Sequence, residues 1–551
     1  MKKSMKKLLA LVLCALMVVS LAACGGRNGD NSSNDPGTGS PGNTPAATPI
    51  EPQKTGGEMG VMGIEKPVST TKDSLVIQTQ MDPGTMDPYT FTFGPQLVFT
   101  TQAVETLFLY NVDGIATPLL AESYEFGPGN MNMTVKLREG VKFHNGDTMT
   151  SADVAFSIDT ALETQGTKNF MSAVKDYEIV DDYTIIINFK FPCGTAADVM
   201  SNLFIVNKNV YAEEHAANAG FTGTGPFEVV KWDPGIGCTY KAFEDYWEGA
   251  PVIKNLDIQI ITEASVRMVN AENGDSDIYR GGATNDIARV ADGSSPGLKL
   301  WKADRSQAIH YMGFNVAKAP MDDIRVRQAI CYAIDSESIV YANFDNIGEV
   351  SNSLLPQKSW YSPTIAPEYT YTFNPDKAKE LLADAGYPNG LSLKMYLDAS
   401  VDRAKMAEML PSMLRQSGIE IEIVQMDSTA YNEMMLNAMD YDVFLRNHGN
   451  LSEPSAALRS TLSAQNAPGG NGYFRYADEP YAAEIDEHLN NAASLSDLAE
   501  RKAEWQAYAD IYAENALIKP IMDYYDINIV SENLYNMYFS PNINVQYAYF
   551  G

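Results

Sequence analysis

Between Leu119 and Ile158 the sequence permits little besides a compact strand–turn–strand–turn–helix unit. Met133, Val135 and Leu137 alternate with Thr134, Lys136 and Arg138, the period of two that buries one strand face and wets the other. A Gly127-Pro128-Gly129-Asn130 break precedes that run, and Gly140 interrupts it. Val141-Lys142-Phe143 then resumes extended structure up to Asn145-Gly146, a pair suited to a tight turn. Thr150 is placed to accept from the free amides of a new helix, with Asp153 near its positive end. Val154, Ile158 and Leu162 give that helix one apolar stripe.

The N-terminus speaks to compartment. Lys2, Lys3, Lys6 and Lys7 precede an uncharged apolar run from Leu8 to Ala23, shorter than a comfortable membrane span and flanked like a secretory signal. It ends in Leu21-Ala22-Ala23-Cys24-Gly25, which resembles a bacterial lipobox. That resemblance implies cleavage before Cys24, lipidation of its thiol and anchoring by acyl chains on the extracytoplasmic face of the cell membrane. Residues 24–72, rich in Gly, Pro, Ser, Thr and Asn, bury too little apolar surface to offset ordering entropy, so this segment is expected to be a flexible tether behind the 1–23 signal.

The remaining residues, 73–551, are too many for one core and imply subdomains. The chain carries 40 basic and 70 acidic residues; without the four signal lysines the net charge stands near −34. Such a balance argues against nucleic acid and against a basic patch for anionic membranes. Cys193, Cys238 and Cys331, left after Cys14 and Cys24, have no metal-ligand spacing and read as buried small apolar residues with at most one disulfide. Gly-x-Ser-x-Gly, His-Glu-x-x-His, Walker and paired-cysteine patterns are all missing, and His144, His215, His310, His448 and His488 are scattered singly. The expectation is a binding protein without cofactor or resident metal, not an enzyme.

Further along, Leu75-Val76-Ile77 reads as a buried strand leading into the double Asp-Pro loop from Met81 to Pro88. Thr184 to Phe189 is a β-branched strand, and Ile419 to Val424 and Tyr441 to Leu445 are two more. Asp322 or Asp323 caps a helix whose Val326, Ile330, Ala333 and Ile334 form an apolar face with solvated arginines. Asn374-Pro375-Asp376 opens another helix, which Gly386 and Pro388 end. Helices interleave with strands, which implies α/β lobes.

Several of these segments resemble one family. Glu122-Ser123-Tyr124, the run Lys136-Leu137-Arg138-Glu139-Gly140-Val141-Lys142-Phe143-His144-Asn145-Gly146, and Ala152-Asp153-Val154 are similar to the signature of solute-binding proteins of the peptide/nickel class, the extracytoplasmic receptors of ABC importers. Gly223-Thr224-Gly225-Pro226-Phe227 and the Asp322–Asp335 helix resemble later family elements. The resemblance implies an α/β, two-lobe clamshell of the large peptide-binding type. In that arrangement 73–117, 223–308 and 522–551 form lobe I, 118–222 a subdomain inserted in it, and 309–521 lobe II. It also implies a monomer that closes by hinge motion over a small peptide-like solute and docks on an ABC permease served by separate ATPase subunits. Oligosaccharides, metal chelates, and a sensory or chaperone role on the same fold stay open.

By the same resemblance the solute is chosen after Leu445, in Arg446-Asn447-His448-Gly449-Asn450. Peptide-binding relatives place there, about four residues before a proline, an aspartate that holds the peptide's α-ammonium. Counted back from Pro454 that position is Asn450, unless the alignment slips and Glu453 does the aspartate's job. Arg446, His448 and Asn450 are thus the expected ligand residues, with Tyr473, Arg475 and Tyr524 in support. Substituting Cys24→Ala should release the protein from the membrane fraction of cells; a variant that still sediments with membranes would refute the anchor.

Overall fold

The computed structural model describes residues 58–90, 97–218, 221–306, 308–344, 348–399, 401–438, 440–449, 453–455, 458, 473–540 and 542–551. Cys24 and Asn450 lie outside the described residues.

Two large sheets carry the architecture. The first runs in the order Leu298–Lys302, Ile527–Ser531, Ile278–Tyr279, Ser74–Thr79, Asn255–Ile260, Gly237–Ala242, Phe227–Asp233. Ser74–Thr79 is parallel to both its neighbours, and the other pairs are antiparallel. Asp277 locks this centre: its buried carboxylate accepts from the Val76 amide at 2.9 Å and from Lys72 Nζ at 2.7 Å. The second sheet runs Glu349–Val350, Ile518–Tyr524, Ala308–Phe314, Val443–Gly449, Leu391–Asp398, Ile419–Met426, with Leu391–Asp398 parallel to both neighbours. Each sheet has its own apolar core. The Ser74–Thr79 residues Leu75 and Ile77 sit in one, and the Ala308–Phe314 residues Tyr311, Met312 and Phe314 in the other.

The signature stretch forms part of a separate four-stranded antiparallel sheet, ordered Ala121–Phe126, Asn132–Leu137, Thr184–Phe189, Val174–Asp181. Met133, Val135 and Leu137 are buried as the alternation requires, and the helix Ser151–Glu163 buries Val154 and Ile158. The helix starts with a capping box, the Thr150 side chain facing the Asp153 amide as expected and the Asp153 side chain answering it. The Thr150 hydroxyl donates to the Asp153 carboxylate at 3.0 Å, and the Thr150 amide donates to the same oxygen at 2.9 Å. Asp153 is the better acceptor because it is charged, so it takes both protons.

Gly223-Thr224-Gly225 returns the chain to the first sheet by close backbone approach. A Cβ on Gly223 would sit 2.0 Å from the Ala103 carbonyl oxygen, and one on Gly225 2.7 Å from the Ala103 carbonyl carbon. Cys193, Cys238 and Cys331 are buried, and no disulfide joins them to one another.

Two expectations need correction. The tether does not run to Lys72: Met62 is buried with Leu109, Leu119, Tyr538 and Tyr547, while the Val61 amide donates to Glu248 at 2.6 Å. Val61, Met62 and Ile64 supply the apolar surface that the upstream Gly/Pro-rich residues lack. In the helix Ile324–Tyr332, capped by Asp323, Arg325 is exposed but Arg327 is buried, not solvated. It donates to the carbonyls of Met321 at 2.7 Å and Asn515 at 2.8 Å, which satisfies its buried guanidinium with no carboxylate at ion-pair distance among the described residues.

Gly225→Ala should lower unfolding stability by about 1–3 kcal/mol, because the intruding methyl meets backbone rather than a yielding side chain. Urea unfolding checks this: the midpoint should fall with no change in slope.

Candidate functional site

The chain passes between the two sheets twice, and the passages run side by side. Leu298–Lys302 leads into Ala308–Phe314, and Ile518–Tyr524 returns into Ile527–Ser531. The outgoing strands pair antiparallel with the returning ones in both sheets. Between the sheets the Ala303 amide donates to the Asp526 carbonyl at 2.9 Å and Ser306 Oγ to the Tyr524 carbonyl at 3.3 Å. This doubled crossover brings the carboxyl ends of the parallel strands of both sheets toward one cleft, the place where open α/β sheets hold ligands.

From the first sheet comes Arg280, just after Ile278–Tyr279, its amide donating to the Gln78 carbonyl at 2.9 Å and its side chain 3.9 Å from Asp526. Burial raises the Asp526 carboxyl, and the Arg280 charge opposes that shift. From the second sheet comes Asp398, which ends its strand and takes a two-point pair from Arg403, both bonds at 2.7 Å. The third nitrogen of Arg403 donates to Asn447 Oδ1 at 2.7 Å. Lys405 on the same helix reaches Thr284 Oγ1 of the first-sheet side at 3.5 Å, so the two sides touch across the cleft.

Strand alternation sorts the predicted residues. Asn447 faces Arg403, whereas Arg446 and His448 occupy the other face of Val443–Gly449. There the structure brings together three of the predicted residues, Arg446, His448 and Tyr473. The Arg446 guanidinium lies 4.4 Å from the Tyr473 ring centre and 5.7 Å from that of Tyr431, a cation held between aromatic faces. No carboxylate stands within ion-pair distance of Arg446 among the described residues. In the sequence, residues 450–452 and 459–472, which lie outside the described residues, include no acidic residue.

His448 is buried and stacked on Tyr311, ring centres 5.6 Å apart at 14°. Its Nε2 has no hydrogen-bond partner among the described residues. Arg475 follows in left-handed backbone with φ 61°. Tyr524 stands apart from this group, on the next strand but one, with its ring edge-on to His310 at 6.1 Å.

Glu453 is committed elsewhere, paired at 3.3 Å with Arg501. Sequence reasoning missed Asp398, Arg403 and Arg280. The alternation of Leu391, Leu393, Met395 and Leu397 would have exposed the strand that ends in Asp398.

Burial drives His310 and His448 down to about 3. The Arg446 charge acts in the same direction on His448, as Arg403 does on His310, and only Asp398 opposes at His310. Both are therefore neutral at physiological pH. The unfolded chain, with histidines near 6.5, binds protons that the folded chain does not, so stability is complete above pH 6.5 and declines as pH falls toward 3. His448→Gln should flatten that decline by about 1 kcal/mol per pH unit between pH 6 and 4 in urea unfolding; an unchanged slope would show that His448 charges freely in the fold.

Comparison with known proteins adds the relationships. Residues 116–469 match the family model for the middle region of bacterial extracellular solute-binding proteins, family 5. Heme-binding protein A of Haemophilus influenzae is 28% identical over 421 residues, spanning 70% of this chain and 74% of that protein. The dipeptide-binding protein of Escherichia coli is 26% identical over 508 residues, 82% of this chain and 91% of that one. Among solved structures, NikA from Brucella suis in complex with Fe(III)-EDTA superposes with a TM-score of 0.76 at 20% identity, covering 87% of this chain and all of that one.

Proposed function

The chain belongs to the bacterial extracellular solute-binding proteins of family 5, and from that premise we propose that it captures a peptide-like solute between its lobes and delivers it to an ABC permease. The observation that supports a peptide-like solute is Arg446. A guanidinium flanked by Tyr473 and Tyr431, with no acidic side chain among the described residues to answer it, calls for an anion, and the terminal carboxylate of a peptide supplies one in bidentate geometry. On this reading Asn447 and His448 at the same strand end contribute neutral polar contacts, as does Asn450, which lies outside the described residues, and Tyr524 contributes from the neighbouring crossover. Asp398, already neutralised by Arg403, is poised to share its charge with a ligand ammonium, the task that Asn450 cannot perform as an amide.

The mechanism follows from the doubled crossover. Two short antiparallel segments permit rotation of one lobe against the other, and a solute that touches both lobes stabilises the closed arrangement by its differential affinity. Relatives that bind haem or dipeptides keep a second reading alive, a haem or metal-chelate receptor, for which the neutral Nε2 of His448, without a partner among the described residues, is the specific observation.

A thermal-shift screen separates these readings. Di- to hexapeptides should raise the melting temperature by several degrees at 100-fold excess over Kd, a stabilisation of about 2.7 kcal/mol. The Arg446→Met variant should lose at least ten-fold in affinity for the same peptides. Shifts with haem, nickel–histidine or oligosaccharides and none with any peptide would discard the peptide reading.

A further inference from the structure

The lobes touch at a second place, remote in sequence from the crossovers, and its chemistry is specific. The helix Ala482–Ser494, part of the second core, ends with carbonyls that no intrahelical amide can satisfy. Two donors from the inserted four-stranded unit serve them: the Thr195 amide reaches the Ala493 carbonyl at 3.3 Å and Asn130 Nδ2 the Ser494 carbonyl at 2.9 Å. Asn130 Nδ2 also lies 3.4 Å from Ser496 Oγ. Between these donors the backbone of Gly194 packs so closely that a Cβ there would stand 2.0 Å from the Leu495 carbonyl carbon. Side by side with that backbone seam, Asp198 of the inserted unit meets Arg501 of the second lobe at 3.3 Å. Arg501 also pairs with Glu453 at 3.3 Å and stacks over Trp360 at 4.9 Å. Asp198, Arg501 and Glu453 are all nearly inaccessible along their side chains.

We propose that this seam is a clasp for lobe closure: the 193–198 loop of the inserted unit docks on the corner between helices Ala482–Ser494 and Leu498–Glu514 when the cleft shuts, and parts from it when the cleft opens. The assignment rests on the reading of the protein as a two-lobe solute receptor. Arg501 keeps Glu453 in both states, so its charge is never left alone. Asp198 exchanges Arg501 for water on opening, and the two helix-end carbonyls do the same with their donors. The Arg501 charge and the two helix-end carbonyls therefore have a partner on either side of the transition, which is what a reversible contact requires. The inserted unit thus sets how readily the lobes stay shut without touching the solute, and Gly194 is the residue that lets the two backbones meet.

The test needs no solute. Asn130→Cys with Ser496→Cys, in the full chain, should form a disulfide under mild oxidation, located by peptide mapping. Adding Gly194→Val should slow that cross-link at least ten-fold, equivalent to about 1.4 kcal/mol of closure. Asp198→Ala should slow it in the same direction, and serves if the valine variant misfolds. Small-angle scattering of the cross-linked chain should give a smaller radius of gyration than the same chain after reduction.

A cross-link that never forms, or forms at one rate in all backgrounds, would overturn the clasp. A radius unchanged by reduction would overturn it too, by showing the contact to be permanent. Failure here leaves the thermal-shift outcome standing, and failure of every peptide in that screen leaves the clasp standing.

Discussion

The pairing of the outgoing and returning crossovers is the constraint on which the rest of this structure depends. One segment between the two sheets would leave their relative orientation free. Two, bonded to each other through the Ala303 amide and the Asp526 carbonyl, reduce that freedom to a narrow set of rotations. Glu349 reinforces the junction, bonded by Lys302 at 3.1 Å from the first sheet and by the Tyr525 hydroxyl at 2.9 Å from the returning segment. Because the strands paired at the crossover are the same ones that continue into both sheets, the carboxyl ends of the parallel strands are forced to face one cleft.

Within that cleft the period of the strand decides what each residue can do. A single step along Val443–Gly449 separates Asn447, which meets a carboxylate–guanidinium pair, from Arg446, which meets two aromatic rings. The charge at one face is balanced internally; at the other it is not. A solute bridging the two faces would find a cation ready for a carboxylate and a carboxylate already shared. Burial keeps His310 and His448 neutral, so the electrostatic character of the site is set by the arginines and Asp398 across the physiological range.

Much of this was legible in the sequence, for identifiable reasons. Met133, Val135 and Leu137 announced a buried strand face because alternation is a local property, and the signature around them announced the family. Gly223 and Gly225 could be recognised as a turn, although the cause is contact with the Ala103 backbone rather than a left-handed conformation. What stayed hidden were partnerships between distant residues. Nothing near Arg327 in sequence tells that the Asn515 carbonyl will satisfy it, and nothing near Glu453 tells that Arg501 will occupy it. The reach of the tether was overestimated because Val61, Met62 and Ile64 are few, and their value lies in Tyr538 and Tyr547 at the opposite end of the chain.

That last packing has a mechanical consequence. Residues 58–72 are fastened to Glu248, Asp277 and the C-terminal strands, all on the first-sheet side, and none of these contacts crosses to the second core. A pull applied from upstream of Glu58 is therefore borne by one lobe and never loads the crossovers. On the proposed mechanism the second lobe swings as though the molecule were unattached, so whatever holds the N-terminus leaves the proposed opening and closing untouched.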